Sequence, residues 1–249
     1  MLIDTHCHLL KEYYSSISDE LRHISDAGIK KIVISAYDEK TITEVLNISK
    51  MYENVYCSIG IHPSEADKDC NNALKLITNN INNPKVVAIG EIGLDYHYEE
   101  YNKEAQTNLL FKQLEIAERY NKPVVIHSRE ATEDTINVLK KYSVKGVIHS
   151  FSGSVETANM YIKMGFYLGI NGVITFKNCH LIEVIRKIGV NNIVLETDSP
   201  YLTPTPYRGT KNSPSNIVLI TKYLSDELGI DVSTLANITG NNACHIFDI

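Results

Sequence analysis

The chain has 249 residues, 43% of them hydrophobic, which is enough to bury a complete core as one domain spanning residues 1–249. Its 24 basic and 30 acidic side chains give a net charge of −6. This balance excludes a protein that coats nucleic acid with a broad basic face, but leaves open contact with a few phosphates in a cleft.

The cysteine pattern and the distribution of apolar residues indicate the cellular compartment of the protein. The five cysteines are scattered and form no C-x-x-C pair, which is typical of a reducing compartment. No signal-peptide pattern opens the chain, and no apolar run approaches the roughly 18 residues of a membrane span. The sequence therefore predicts a soluble, cytoplasmic protein with no membrane contact, and it implies no protein partner.

The first predicted strand ends in a pair of histidines, His6 and His8. In an extended chain, side chains at i and i+2 point to the same side, so both imidazoles can reach one point in space. Two imidazoles make half of a transition-metal site. The pair alone is a weak signal, and its meaning depends on further ligands later in the chain.

Eight short apolar or β-branched runs recur along the chain, and most are continuous rather than alternating, as expected for parallel strands covered on both faces. They lie at residues 1–4, 31–36, 55–62, 86–91, 123–127, 146–149, 166–170 and 193–198. Helical patterns lie between or after them, at residues 21–27, 41–51, 102–121, 131–142, 154–164, 213–228 and 232–246. This rhythm predicts an α/β fold, a single (β/α)₈ TIM barrel, with a doubly wound open sheet as the competing architecture.

Polar residues with metal-binding or acid–base chemistry stand at the ends of six of these strands. They are His6, His8, His62, Glu91, His127, His149 and Asp198. Chemistry in a TIM barrel is located at the C-terminal ends of the strands, so these side chains are predicted to converge. Seven groups exceed the needs of one tetrahedral ion, which favours two divalent ions that share Glu91 as a bridging carboxylate.

Several motifs together resemble the TatD family of metal-dependent deoxyribonucleases, which belongs to the amidohydrolase-like TIM barrels. The resemblance covers essentially the whole chain, with every block in order. The motifs are Asp4-Thr5-His6-Cys7-His8-Leu9, Gly60-Ile61-His62-Pro63, Gly90-Glu91-Ile92-Gly93-Leu94-Asp95-Tyr96, Val125-Ile126-His127-Ser128-Arg129, His149-Ser150-Phe151-Ser152-Gly153, Glu196-Thr197-Asp198-Ser199-Pro200-Tyr201-Leu202, Arg208-Gly209 and Asn212-Ser213-Pro214.

The resemblance implies how the ligands are shared between the ions. His6, His8 and Asp198 would hold one ion, and Glu91 would bridge. The second ion would be held by the two histidines after strands 5 and 6, which are His127 and His149. His62 would lie beside the metal ligands or contact a phosphate group of the substrate.

The predicted chemistry is hydrolysis of a phosphodiester through metal activation of a water molecule. Asp198 would align that water and accept its proton, with Glu91 as the second catalytic carboxylate. Imidazole-rich ligation suits zinc or manganese, whereas the family resemblance points to magnesium and other divalent ions, so zinc, manganese and magnesium all remain open.

Three further residues are predicted to contact the substrate at the rim. Arg129 and Arg208 follow strands 5 and 8, and a guanidinium matches phosphate oxygens in a two-pronged geometry. Tyr96 follows strand 4 and could stack on a base. The competing interpretation is a surface ion pair for each arginine and packing within the loop for Tyr96.

The net negative charge favours a cleft that binds the end of a nucleic-acid strand and disfavours a long groove that binds a duplex. The sequence therefore predicts a 3′–5′ exonuclease on single-stranded DNA ends, with the polarity implied by the resemblance and with RNA ends as a further substrate of the same chemistry. A cyclic-amide or peptide hydrolase of the amidohydrolase type and an aminoacyl-tRNA deacylase remain alternatives. A purely structural metal site is disfavoured, because such sites are closed and cysteine-rich.

Overall fold

The computed structural model describes all of residues 1–249 and contains eight parallel strands that pair in chain order, with a helix between successive strands. The strands are β1 (Leu2–Cys7), β2 (Ile29–Ser35), β3 (Val55–Ser58), β4 (Val86–Asp95), β5 (Val124–Arg129), β6 (Gly146–Ile148), β7 (Phe166–Ile170) and β8 (Ile193–Leu195). The helices are α1 (Ile17–Asp26), α2 (Glu39–Met51), α3 (Asn71–Asn80), α4 (Lys103–Tyr120), α5 (Thr132–Leu139), α6 (Val155–Lys163), α7 (Leu181–Ile188), α8 (Ile217–Leu228) and α9 (Val232–Phe247). None of the helices combines the length and the apolar character that crossing a bilayer requires.

The barrel closes through backbone hydrogen bonds between the segment after β8 and β1. Asp198 N donates to His6 O at 2.9 Å, and His8 N donates to Ser199 O at 2.7 Å. We call this pair of hydrogen bonds the seam. It joins the two ends of the sheet, so the predicted TIM barrel is confirmed and the doubly wound open sheet is excluded.

A buried carboxylate reinforces the seam. Asp4 in β1 accepts hydrogen bonds from Thr197 N at 3.0 Å and from Thr197 Oγ1 at 2.6 Å. Its Oδ1 also accepts from His6 N at 3.2 Å. Because Asp4 is fully buried and meets several donors, it fixes the backbone of β1 against the segment that follows β8.

The end of the barrel opposite to the histidines is filled by apolar side chains and covered by α9. The first inward residues of the strands pack with the last turns of that helix, in one cluster of Ile3, Val33, Val87, Ala88, Val125, Val147, Val194, Ala243, Ile246 and Phe247. Gly240 allows the helix to approach closely, since a Cβ there would lie 2.1 Å from Met1 O. This end is closed, so the site has to lie at the other one.

Local signals in the sequence explain where several helices begin and end. The carboxylate of Asp38 accepts from Thr41 N at 2.7 Å and caps α2. Asp231 accepts from Thr234 N at 3.0 Å and caps α9 in the same way. Asn121 ends α4 in the left-handed conformation, with φ of 50°.

The observed ends of β3 and β4 differ from the predicted ones. β3 ends at Ser58 instead of residue 62, although the next residue still bonds to β4, with Ile59 N donating to Ala88 O at 3.1 Å. β4 continues past Glu91 to Asp95 and stays paired with β5, with one register shift between Ile89 and Ile92. The prediction that strand 4 ends at Glu91 is therefore wrong.

The sequence analysis also missed α3 and α7. In α3 only Ala73 and Ile77 are buried, and the asparagines around them are weak helix formers. α7 has eight residues, which is shorter than the length at which periodicity separates a helix from a strand. Both helices are held by packing against the barrel rather than by a strong local pattern.

Candidate metal centre

Six side chains with nitrogen or oxygen donors converge at the open end of the barrel. Four of these side chains are at most 6% exposed, and those of Asp198 and His127 are 12% and 17% exposed. The six are His6, His8, Glu91, His127, His149 and Asp198. They are the residues that the sequence analysis predicted as ligands, and the structure places them together.

The first group of donors comes from the two sides of the seam. Nε2 of His6 and Nε2 of His8 lie 3.2 Å apart, and Oδ1 of Asp198 lies 3.6 Å from each of them. Asp198 reaches this position because its backbone turns in the left-handed region, with φ of 54°, which aspartate tolerates better than most residues. Two imidazoles and a carboxylate form a donor set for a first-row divalent ion.

The second group of donors is reached through Glu91. Its Oε1 lies 2.8 Å from His127 Nδ1 and 3.8 Å from His149 Nε2. Its Oε2 lies 3.4 Å from His6 Nε2, on the other side. Each carboxylate oxygen of Glu91 therefore faces one group, which is the position of a bridging ligand.

Hydrogen bonds behind the first pair of histidines fix which nitrogen faces the centre. Nδ1 of His6 lies 3.0 Å from Ser35 Oγ, and Nδ1 of His8 lies 3.0 Å from Ser35 O. One residue of β2 thus orients both rings and leaves both Nε2 atoms free to bind a cation. Such partners behind a ligand set the ring orientation and tautomer.

Carboxylates stand behind the other two histidines. Nε2 of His127 lies 3.1 Å from Asp95 Oδ2, and Nδ1 of His149 lies 3.0 Å from Glu196 Oε1. His127 and His149 accordingly face Glu91 with Nδ1 and Nε2, respectively. The two donor groups therefore differ in the partners behind their histidines. A carboxylate raises the basicity of the imidazole in front of it more than a neutral acceptor does.

Two glycines make room for these carboxylates and histidines. A Cβ at Gly169 in β7 would lie 2.3 Å from Glu196 Oε2, so only glycine leaves space for the buried side chain. At Gly93 in β4, φ is 155° and a Cβ would lie 1.9 Å from His127 O. The close approach of β4, β5, β7 and β8 around the centre depends on these positions.

The ionisation of the second donor group favours positive charge at the centre. Burial acts to lower the pKa of His127, but hydrogen bonds with Asp95 and Glu91 raise it to about 9. Burial acts on His149 in the same direction, and the Glu196 carboxylate beside it raises the pKa to about 10. Both imidazoles therefore carry protons at neutral pH when no cation is present, in positions where a divalent ion would supply the same charge.

The carboxylates of the centre are ionised. Burial acts to raise the pKa of Glu91, but nearby His149 and hydrogen bonds with His127 and His6 hold it well below its usual range. Burial and His149 act in opposite directions on Asp198 as well, and its pKa is lowered. Anionic oxygen donors are thus available at neutral pH.

This donor set fits divalent metal ions. Within each of three overlapping groups, the nitrogen and oxygen donors lie within 4.8 Å of one another. The groups are His6–His149–Asp198, His6–His8–Glu91 and Glu91–His127–His149. Four oriented imidazoles and two ionised carboxylates suit zinc or manganese, and the carboxylates also suit magnesium.

His62 stands beside the centre with the geometry of a hydrogen-bond donor rather than of a ligand. Its Nδ1 accepts from Ser64 N at 3.1 Å, at the start of the short helical turn Pro63–Glu65. The proton of the neutral ring is therefore on Nε2, which lies 3.8 Å from Glu91 Oε1. Burial lowers the pKa of His62 to about 4, so the ring is neutral. Although His62, Asp95 and His127 are close enough to form a fourth donor triad, the protonated Nε2 of His62 argues against it.

The predicted substrate contacts at the rim lie in different environments. Arg129 and Arg208 are exposed, and the Arg208 guanidinium carbon lies 3.8 Å from the centroid of the Phe176 ring. Tyr96 is partly buried and stacks on Tyr101 with ring centroids 4.6 Å apart. Both arginines are free to meet an anion, whereas one face of Tyr96 is already covered.

The sequence analysis missed three residues that support the ligands, namely Ser35, Asp95 and Glu196. Asp95 lies four residues after Glu91 in one strand, and Glu196 lies two residues before Asp198. Side chains at even spacings along an extended chain share a face, so the rule that linked His6 to His8 could have found both carboxylates. For Ser35, which has only a hydroxyl and a backbone carbonyl to offer, we find no comparable signal in the sequence.

Comparisons with known proteins give the family of the chain. The sequence model of the family described as TatD related DNase matches residues 3–248. The metal-dependent hydrolase YabD of Bacillus subtilis is 37% identical over 100% of both chains, and the metal-dependent hydrolase YcfH of Escherichia coli K12 is 31% identical over 100% of this chain and 96% of its own. The crystal structure of the TatD homologue YjjV from Escherichia coli K12 superposes with a TM-score of 0.93 and 30% identity, covering 100% of this chain and 98% of that one.

These matches span the barrel from the first strand to the last helix, and they confirm the family resemblance seen in the motifs. The donor residues described above lie within the matched range. The chain therefore belongs to the TatD family and is a metal-dependent hydrolase.

Proposed function

We propose that this hydrolase cleaves phosphodiester bonds and acts as a 3′–5′ exonuclease on single-stranded DNA ends. The observation that supports this most is the division of the donors into two groups that share Glu91 at an open face. A bridged pair of divalent ions is the arrangement that phosphatases and nucleases use. His6, His8 and Asp198 would hold one ion with Glu91, and His127 and His149 would hold the other.

Bound divalent ions would lower the pKa of a water molecule and screen the charge of the phosphate. Asp198 is ionised and lies beside the first donor group, so it can accept a proton from that water. His62 directs an N–H toward the same space and can donate a hydrogen bond to a phosphate oxygen. Glu91 holds the two groups in fixed relation.

The rim suits the end of a nucleic acid strand. Arg129 and Arg208 are exposed cations that can meet the phosphates next to the one being cleaved. The net charge of −6 disfavours binding along a long duplex, so a short contact with a strand end fits better. The same contacts would serve an RNA end, which is a second substrate to test.

A direct assay compares labelled single-stranded DNA and RNA with a cyclic amide and an aminoacyl-tRNA. Label at each end of the DNA reports polarity, and assays with magnesium, manganese or zinc report the metal preference. We expect stepwise shortening from the 3′ end that a chelator abolishes and added metal restores. Turnover of the amide or of the aminoacyl ester, with no cleavage of DNA, would contradict the proposal.

The number of ions has its own test. We expect two divalent ions per chain, and His127→Ala should remove one of them without unfolding the barrel, because the first donor group lies on the other side of Glu91. Elemental analysis of wild type and variant measures the ratio, and circular dichroism checks the fold. The same metal content in both proteins would rule out the two-ion arrangement.

A further inference from the structure

Three tyrosines form a surface at the open end of the barrel, next to the first donor group. We call Tyr13, Tyr37 and Tyr201 the tyrosine wall. The ring centroids of Tyr37 and Tyr201 lie 5.8 Å and 6.1 Å from that of His8, at interplanar angles of 66° and 68°. None of the three offers a metal donor to the centre, and the chemistry described above does not use them.

The ring of Tyr201 is exposed but held in place. Tyr201 is 49% exposed, and its backbone carbonyl accepts a hydrogen bond from Nδ2 of the buried Asn212 at 2.7 Å. Its hydroxyl lies 2.8 Å from the hydroxyl of Tyr13. A ring that is fixed at both ends and open on one side can bind a planar partner with little loss of conformational freedom.

The charges around the wall favour an uncharged partner. The hydroxyl of Tyr37 donates to the carboxylate of Glu12, so an anionic group lies along one edge. Lys211 lies beside Tyr13, but its Nζ donates to Tyr13 O at 2.8 Å and lies over the Tyr14 ring. A phosphate would meet a carboxylate here, whereas the face of a base would not be repelled.

The other tyrosines near the centre are less suited to this role. Tyr96 is covered on one face by Tyr101. Tyr98 is 65% exposed but has the Arg129 guanidinium 5.7 Å from its ring centroid and His97 on its edge. The tyrosine wall is distinguished by direct contact with a metal-binding histidine.

We propose that the tyrosine wall is the subsite for the nucleobase of the terminal nucleotide, whose phosphate is bound at the metal centre. This assignment rests on the proposed function, and it names the part of the substrate that binds outside the metal donors. Because stacking uses the face of a base, the subsite would accept all four bases. Tyr201 would provide most of the contact, and Tyr13 would hold it in position.

Equilibrium binding of a product-like nucleotide tests the subsite without any cleavage. The probe is the 5′-monophosphate of 2-aminopurine deoxyriboside, whose fluorescence falls when the base stacks, and the chain has no tryptophan to interfere. We expect quenching by the metal-loaded wild type and a Kd about tenfold weaker for Tyr201→Ala, since one stacked base contributes on the order of a tenfold change. Tyr201→Phe and Tyr13→Phe each keep the ring but remove the hydrogen bond between the two hydroxyls, so each should still quench and should weaken binding by about threefold or less.

Two controls separate the base from the phosphate. Tyr207→Ala removes an exposed ring from the same loop and should leave the Kd unchanged. Deoxyribose 5-phosphate, which has no base, should compete equally well on wild type and on Tyr201→Ala. Unequal competition would mean that the variant has disturbed the metal centre, and this would overturn the assignment.

Kinetics with oligonucleotides give the second readout. With a normal 3′ end, Tyr201→Ala should raise KM about tenfold, whereas an end that carries an abasic sugar should be cleaved equally by both proteins. DNA cleavage by Tyr201→Ala with an unchanged KM would overturn the base subsite while leaving the exonuclease proposal intact. If the wild type cleaves neither end but binds the nucleotide with quenching, the proposed reaction fails and the subsite stands.

Discussion

Asp198 Oδ1 lies 3.6 Å from Nε2 of both His6 and His8, where a carboxylate can bind a cation and also accept a proton. Asp198→Asn keeps the shape of the side chain but removes its charge and its basicity. We expect kcat to fall by a factor on the order of 10²–10⁴, the range for losing a general base. The measurement is steady-state kinetics on single-stranded DNA, together with metal analysis of the variant. Activity within a few-fold of wild type would exclude Asp198 as the proton acceptor.

Glu196 acts through His149 rather than on the substrate. Its side chain is fully buried, with Oε1 accepting from Ser150 N at 2.7 Å and lying 3.0 Å from His149 Nδ1. Glu196→Gln should therefore weaken metal binding at the second donor group by about 10–100-fold, which is typical for a lost partner behind a ligand. Calorimetric titration of the metal-free protein measures it, with Glu183→Gln on the exposed face of α7 as a charge-matched control. Equal affinities in both variants would show that Glu196 only fills space.

The loop after β8 carries Arg208 between two prolines and a glycine, and its guanidinium lies on the Phe176 ring. A charged hydrogen bond to phosphate contributes roughly 1.5–3 kcal/mol. Arg208→Ala should thus lower kcat/KM for single-stranded DNA by about tenfold or more. Arg208→Lys should recover only part of this loss, because an ammonium lacks the planar fork.

The control for this loop is Arg119→Ala, which removes an exposed arginine from the last turn of α4. It changes the net charge by the same amount and should leave kcat/KM unaltered. Metal content should be the same in all three variants. If Arg208→Ala cleaves DNA as fast as the wild type, the loop has only a structural role.

The order of the strands and most of their positions could be predicted from sequence, because continuous β-branched runs are a strong signal. The ends of the strands were harder to predict. β3 ends at Ser58 although residues 59–61 remain buried and Ile59 still bonds to β4, and no local pattern in the sequence marks this end. α3 was missed because its helix depends on packing more than on propensity.

The convergence of the six candidate ligands could also be predicted, since each is a reactive residue at the end of a strand. The partners behind them were not, because their roles depend on contacts between strands that are distant in sequence. Ser35, for example, contacts His6 and His8 through two different oxygen atoms, and only the register of β1 against β2 shows this. The environment of Tyr96 likewise depends on Tyr101 folding back over it.

Metal binding changes the charge of the entire barrel, because we expect it to be coupled to the release of protons. In the metal-free protein the pKa of His127 is about 9 and that of His149 about 10, so both rings are protonated at pH 7. A divalent ion requires neutral imidazole, so its binding should release about two protons at pH 7 and fewer as the pH rises through 9 and 10. Calorimetry in buffers of different protonation enthalpy counts these protons. Binding with no release would contradict the ionisation described here.

The same two histidines contribute to the pH dependence of the stability of the metal-free protein. Their folded pKa values lie above the value of about 6.5 in an unfolded chain. Their contribution to the free energy of unfolding is therefore complete below about pH 6.5 and is lost as the pH rises through 9 and 10. In this alkaline range the metal-loaded protein should retain its Tm, so the difference in Tm caused by a chelator should grow.

The seam also has a consequence for the synthesis of the protein. It joins residues near position 6 to residues near position 198, so a growing chain cannot form it until Asp198 has left the ribosome. Until then the nascent chain has His6, His8, Glu91, His127 and His149 but lacks Asp198 and the backbone contact that positions the first two. We therefore expect nascent chains, and proteolytic fragments that end before β8, to be inactive. The topology would delay activity until the segment after β8 has been made, without a separate inhibitor.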